Sequence, residues 1–399
     1  MKIKCDLLDL TTIIILLWYI NPMSMDYYNW TIFAVLAIIW IFLAASYDFE
    51  GFSRHVCNRQ MLFYGFFIVV LFCYALVDHT PFYLQSLSVP FAFLVGQFYL
   101  LERDVQSQKR VMRFANLYIF IITINTIIKL VANPNISRYL AGGNSELTRN
   151  LITPFVGGFS FVYISVLFSV NAFANLLMKE ENRKQYKVLN IFQFVAGIVF
   201  IVLAQYLTAM ILLALGCLIV LLLSPAKEKY KILGVLIVIA GAGTLVFGVL
   251  PEILHYLASL FPSGQVQDHL NELALTVQLG KGSANDLTRV QIFEKTIDLF
   301  LSNPLFGAGY SHNHQEFIDM FAQYGIVGGI PYFAAMFSMI NKTCRDFRYS
   351  NYRMSVIISM IIFIALLFLN SAGDGVIYMS LFLIIPVRTI ISSLDKQSL

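Results

Sequence analysis

The chain has 399 residues, is 58% hydrophobic and 15% aromatic, and is charged at only 13% of its positions, against roughly 25% in an average soluble domain. Too little polar surface remains to coat a soluble domain of this size, which excludes a disordered chain, a coiled coil and a cytosolic Rossmann-type enzyme; a polytopic membrane protein fits. The formal net charge of +4 says less than where the charges stand, and no basic stretch interleaved with aromatics supports nucleic-acid binding.

A membrane span needs about 20 mostly apolar residues. Twelve segments qualify in chain order: 7–24, 30–47, 61–78, 82–101, 112–132, 155–178, 187–205, 206–223, 231–250, 322–340, 353–370 and 372–390. Basic residues precede the first segment, as in a signal peptide, but no small-residue cleavage site follows, so it reads as a span. The seventh and eighth form a nearly unbroken run from Val188 to Leu223, too long for one span, and divide at Gln205–Tyr206. The expected fold is all-α. Residues 1–250 hold spans one to nine and an outer loop at 133–154, 251–321 form one large outer loop, and 322–399 hold the last three spans and a tail.

The distribution of basic residues orients these spans. Alternating the loops leaves only Lys129, Arg138, Arg149, Lys281, Arg289 and Lys295 outside and puts the other 21 of the 27 basic residues in the cytoplasm. Both termini are then cytoplasmic. Cys5, Cys57, Cys73, Cys217 and Cys344 fall in helices or cytoplasmic segments, so no disulfide framework is expected.

The polar chemistry gathers in the outer loops. Residues 286–301 read as an amphipathic helix with Val290, Phe293, Ile297 and Phe300 on one stripe and Asp286 as its N-cap, and 251–261 carry a similar stripe. Both suit the membrane surface. Arg289 stands in the first turn of the 286–301 helix and Arg149 lies in the other outer loop. A guanidinium binds phosphate oxygens in a bidentate fork, so two outer arginines at a membrane boundary suit a phosphorylated lipid headgroup; pairing with a loop carboxylate is the alternative. His312 and His314 follow the Asn303–Gly309 turn. An imidazole near pKa 6.5 is a natural general base or partner for a sugar hydroxyl. His-X-His can also begin a metal site, but no third ligand stands at a convincing spacing. No outer Ser or Cys stands in a nucleophile motif.

Leu287-Thr288-Arg289, a helix, Asn303-Pro304-Leu305-Phe306-Gly307-Ala308-Gly309 and then Gly325-Ile326-Val327-Gly328 resemble, in that order, the Wzy/WaaL superfamily of O-antigen and capsule polymerases and O-antigen ligases. The family's histidine stands eleven residues before its Gly-Ile-x-Gly, which selects His314; His312, followed by Asn313 as the family's histidine is, remains the second choice. Arg149, with Pro154, Gly157, Gly158 and Phe159 after it, is similar to the family's arginine-led segment. The turn Gln205-Tyr206-Leu207-Thr208 departs from it, because many members carry Ser-Arg there.

The resemblance implies a GT-C-like membrane glycosyltransferase of the bacterial inner membrane with its site on the extracytoplasmic face. It implies a glycan donor and an acceptor repeat unit, each on undecaprenyl diphosphate, no cofactor or metal, and a chain-length regulator and a flippase as partners. Arg289 and Arg149 would hold the diphosphate, and His314 the acceptor hydroxyl. The ligase of the same superfamily, which transfers glycan to lipid A-core, is the alternative. A lipid-linked-sugar flippase is a third reading, against which stands the near absence of ionisable residues from the spans.

Overall fold

A computed structural model describes residues 6–20, 30–77, 84–133, 136, 155–177, 184–223, 228–246, 250–261, 265–279, 284–311, 315–347, 350–370 and 375–394, and every regular element among them is a helix. Six helices are long and apolar enough to cross a membrane: Arg59–Val77, Val105–Ala132, Phe159–Leu177, Lys187–Ala204, Glu316–Asp346 and Tyr352–Leu369. The other six predicted segments fall on shorter apolar helices, Leu7–Ile20, Thr31–Tyr47, Ser88–Leu101, Leu207–Leu223, Tyr230–Gly241 and Gly375–Ile391.

Burial separates inner from outer helices. Ser88–Leu101 is buried along almost its whole length, as are most of Phe159–Leu177 and the run from Gly375. Gly96 lets two of them touch: a Cβ there would stand 2.2 Å from the carbonyl oxygen of Phe382. The peripheral helices instead expose Ile38, Phe42, Leu62, Val69, Ile232 and Ile239. Apolar side chains turned outward in this number are the mark of a surface bathed in lipid, and the molecule is an integral membrane protein.

The predicted division at Gln205–Tyr206 is present. The helix from Lys184 stops at Ala204, Gln205 takes a positive φ of 57°, and a new helix begins at Leu207. One left-handed residue is enough to turn the chain, at a steric cost that glutamine bears only because its surroundings hold it.

One end of the bundle is closed by charge. The guanidinium of Arg103 is fully buried and donates to Asp9 at 2.7 Å, to Ser107 at 2.9 Å and to Asp6, while Arg110 reaches the other oxygen of Asp9. Tyr99 donates to Asp9 at 2.9 Å, and the Arg103 guanidinium lies 4.3 Å over the Tyr47 ring. Beside them His55 bonds Glu102 at 3.0 Å, and Lys342 reaches Asp346 at 2.5 Å. Burial holds the His55 imidazole below its ordinary pKa, against the opposing pull of Glu102.

Within the predicted loop 251–321, the helices Leu250–Ser259 and Gln265–Leu279 pack on each other through Leu254, Ala258, Val266, Leu270 and Ala274, with Leu207, Met210 and Phe261 alongside. Only the first was expected. The predicted 286–301 helix is present as Ala284–Ser302. Asp286 is therefore its third residue and not its N-cap, and Arg289 lies in the second turn; alanine, the best helix former, carries the helix past the expected start. The four described cysteines Cys57, Cys73, Cys217 and Cys344 are free thiols.

Candidate functional site

The helix Ala284–Ser302 feeds directly into the Asn303–Gly309 turn, and that turn is fastened to a broken helix. Glu316–Asp346 is interrupted at Gly325, whose φ of 60° and ψ of −165° lie where side-chain-bearing residues are essentially absent. The break strips carbonyls before it and N–H groups after it of their helical partners. The turn supplies replacements. Ala308 N donates to Ala322 O at 2.9 Å and Gly309 N to Gln323 O at 3.0 Å, while Ile326 N and Val327 N donate to Pro304 O and Leu305 O at 2.8 and 3.1 Å.

Glycine is required at both partners of this clasp. Gly307 has φ 73°, and a Cβ on it would fall 2.4 Å from Gln323 O; a Cβ on Gly325 would fall 2.3 Å from Leu305 O. The backbones touch, so no side chain fits between them. The Asn-Pro-Leu-Phe-Gly-x-Gly and Gly-Ile-x-Gly elements, separate in sequence, are two halves of one joint.

A cavity of about 90 Å³ opens beside it, lined by Ile292, Phe293 and Thr296 of the site helix, Thr208, Gln315, Ile318, Asp319, Leu369 and Asn370. A water needs roughly 10–15 Å³, so the space holds several. Asp319 is buried at 6% exposure; one carboxylate oxygen, Oδ2, accepts from Gln315 N at 2.6 Å, reaching back four residues to the one that caps the helix. Asn370 donates from Nδ2 to Tyr163 Oη at 2.7 Å, and its backbone carbonyl accepts from Glu316 N at 3.3 Å. Glu316, also buried, accepts from Tyr332 Oη at 2.9 Å, and Tyr332 meets Tyr378 at 3.1 Å. A polar chain therefore runs from the cavity floor into the bundle. Around it stack Phe317, Phe321, Phe333 and Phe368, with the Phe317 and Phe368 ring centroids 4.4 Å apart.

Of the residues expected to carry chemistry, Arg149, His312 and His314 lie outside the described residues, and of Arg289 the helical backbone is described. Position 289 precedes Ile292, Phe293 and Thr296 by three, four and seven residues on one continuous helix, the register of a single face. Gln315, the residue after His314, lines the cavity. Thr208 belongs to the turn that departs from the family's Ser-Arg, and it too lines the cavity. Sequence reasoning did not single out Thr208, Thr296 or Asn370. Thr296 had a usable signal in its seven-residue spacing from Arg289; Asn370 had the weaker one of a polar residue closing an apolar run.

A family model described as O-antigen ligase matches residues 192–333, a stretch that contains the Gln205 break, the helical hairpin, the site helix and both halves of the clasp. The match supports the Wzy/WaaL superfamily, and with it surface-polysaccharide polymerases and ligases, which are membrane glycosyltransferase-like enzymes; it does not separate one from the other. No curated protein and no solved structure matches the chain.

Proposed function

We propose that this protein is a bacterial surface-polysaccharide polymerase, which transfers a glycan from undecaprenyl diphosphate to the terminal sugar of a second lipid-linked repeat unit. It would act in the cytoplasmic membrane through twelve spans, with both termini inside and the 251–321 region on the extracytoplasmic face. The observation that carries this reading is the clasp, because it joins the two motif halves lying within the family match, next to a cavity lined in part by the arginine-bearing helix.

The chemistry follows from charge. An acceptor hydroxyl oxygen attacks the donor's anomeric carbon, the bond from that carbon to the diphosphate oxygen breaks with its electron pair going to the diphosphate, and the hydroxyl proton passes to His314. Charge grows on the leaving group, where the fixed positive charge of Arg289 and Arg149 would be of most use. The reading needs no metal or cofactor. Its partners are the two lipid-linked oligosaccharides and the membrane, with a chain-length regulator and a flippase acting before or beside it.

The test is to incubate the purified chain in nanodiscs with lipid-linked repeat units collected from a strain that lacks it. A ladder of products is expected, with His314→Ala losing most of the rate, in keeping with the 10²–10⁴-fold typical of a general base, and His312→Ala much less affected. An inactive His312→Ala beside an active His314→Ala would move the base by two residues. No ladder, but transfer to lipid A-core when that acceptor is added, would make the protein a ligase. No transfer to either acceptor would overturn the enzymatic reading.

A further inference from the structure

The carboxylate of Asp319 does more in this architecture than start a helix. Only Oδ2 is engaged, by Gln315 N. Among the described residues Oδ1 takes no hydrogen bond, although the side chain is buried and lines the cavity. Oδ1 is not sealed off among the described residues, so it can accept from a donor that enters the cavity. The rest of the lining narrows what that is. Thr208, Thr296, Gln315 and Asn370 bring hydroxyl and amide groups, while Ile292, Phe293, Ile318 and Leu369 bring apolar surface.

A carboxylate in the wall of a small cavity repels phosphate, so the cavity is unsuited to the diphosphate itself. Neutral hydroxyl-rich ligands suit it well. Their O–H groups donate to the carboxylate in charge-assisted bonds, the amides and threonines pair the remaining hydroxyls, and the C–H faces of a sugar ring lie against apolar side chains.

The axial distance on the site helix agrees with a division of labour. Arg289 and Thr296 are seven residues apart, roughly 10 Å at 1.5 Å per residue. That spacing leaves room for a diphosphate beside one position and one sugar beside the other.

We propose that this cavity is a sugar subsite in which Asp319 Oδ1 accepts a hydrogen bond from a hydroxyl of the lipid-linked glycan, separate from the arginine-held diphosphate. The proposal rests on the reading that the substrate is a lipid-linked glycan, and it adds the residue that selects the sugar end of it. Asp319 acts here by binding; it takes no part in bond making.

Two ligands distinguish sugar recognition from diphosphate recognition: the native lipid-linked repeat unit and glycan-free undecaprenyl diphosphate. Their dissociation constants are measured on the full chain in nanodiscs without turnover, for the unmodified protein, Asp319→Asn and Thr296→Val. The KM and kcat of ladder formation are measured in parallel. Asparagine keeps a carbonyl oxygen for Gln315 N, so the helix start survives. Asp319→Asn is expected to weaken repeat-unit binding and raise KM by about tenfold to a hundredfold, the size of one hydrogen bond to a charged group. Binding of the glycan-free lipid and kcat should stay within about twofold. Thr296→Val, which removes a hydroxyl already donated to Ile292 O at 2.8 Å, should cost only a few-fold.

Unchanged repeat-unit binding in Asp319→Asn would reduce Asp319 to a helix cap and overturn the proposal, with ladder formation by the unmodified protein still standing. Equal weakening of both lipids would overturn it in favour of a diphosphate site. Loss of repeat-unit binding in Asp319→Asn, in a preparation that never transfers sugar, would uphold the subsite and overturn the enzymatic reading alone.

Discussion

The two ends of the helix Glu316–Asp346 stand in different chemical worlds. At its C-terminal end three carboxylates face cations or a hydroxyl: Asp9 serves Arg103, Arg110 and Tyr99, Glu102 serves His55 and Arg54, and Asp346 serves Lys342. At its N-terminal end Asp319 spends one oxygen on a backbone N–H and lines a cavity. The first end uses charge to hold helices together. The second keeps polar groups in reserve, and glycine-mediated backbone contacts supply the cohesion instead. The difference locates function: a region whose polar groups are consumed internally has nothing left to offer a ligand.

Four experiments break or sharpen that contrast. Asp9→Asn should have the largest effect, because it leaves Arg103 and Arg110 without their shared carboxylate; removing one partner of a buried pair costs about 3–5 kcal/mol. It should lower the Tm in detergent substantially while the surviving folded fraction transfers sugar at the normal rate per molecule. Reduced kcat at unchanged Tm would erase the distinction between the ends. Arg289→Ala should do the reverse, cutting ladder formation about 10²–10³-fold with Tm preserved. Arg289→Lys should also be strongly impaired, since it keeps the charge but loses the fork; full activity in either variant would remove the diphosphate role.

Gly325→Ala should lower both quantities, by about 1–3 kcal/mol in stability from backbone conformation alone and in rate through a displaced turn. Wild-type behaviour there would mean that the clasp is dispensable. The smallest effect concerns pH. The His55 pKa is lower in the folded chain than in the unfolded one, so the unfolded chain takes up the proton first. Stability is complete above the ordinary pKa of about 6.5 and is lost as pH falls from there through the lowered folded value. A Tm-against-pH curve should decline below about 6.5, and His55→Gln should flatten it.

Much of this architecture could be read from the amino acids because a membrane imposes simple rules. Apolar runs had to be helices, and a run reaching from Val188 to Leu223 had to be divided, which the left-handed Gln205 does. The helix Gln265–Leu279 escaped notice for a physical reason: its seam is only Val266, Leu270 and Ala274 in a polar setting, and it acquires meaning when Leu254 and Ala258 arrive opposite. The clasp was visible as two motifs but not as a joint, since contact between residues 305 and 327 is tertiary. Asp319 stood out only by its place in the stretch that leads to Gly325, and neither its burial nor the cavity beside it is encoded in local spacing.

The cavity draws its walls from four places in the chain: Thr208 after the Gln205 break, the site helix at Ile292–Thr296, the start of the broken helix at Gln315–Asp319, and Leu369–Asn370. No single helix owns it, so it exists only when all four are assembled. Any molecule that fits it binds the assembled bundle and not its separated parts, and mass action then makes occupancy a source of stability. At a ligand concentration 100 times Kd the gain is about 2.7 kcal/mol. A library of simple sugars could therefore be screened by thermal shift alone, with the protein's own melting as the readout and no labelled lipid.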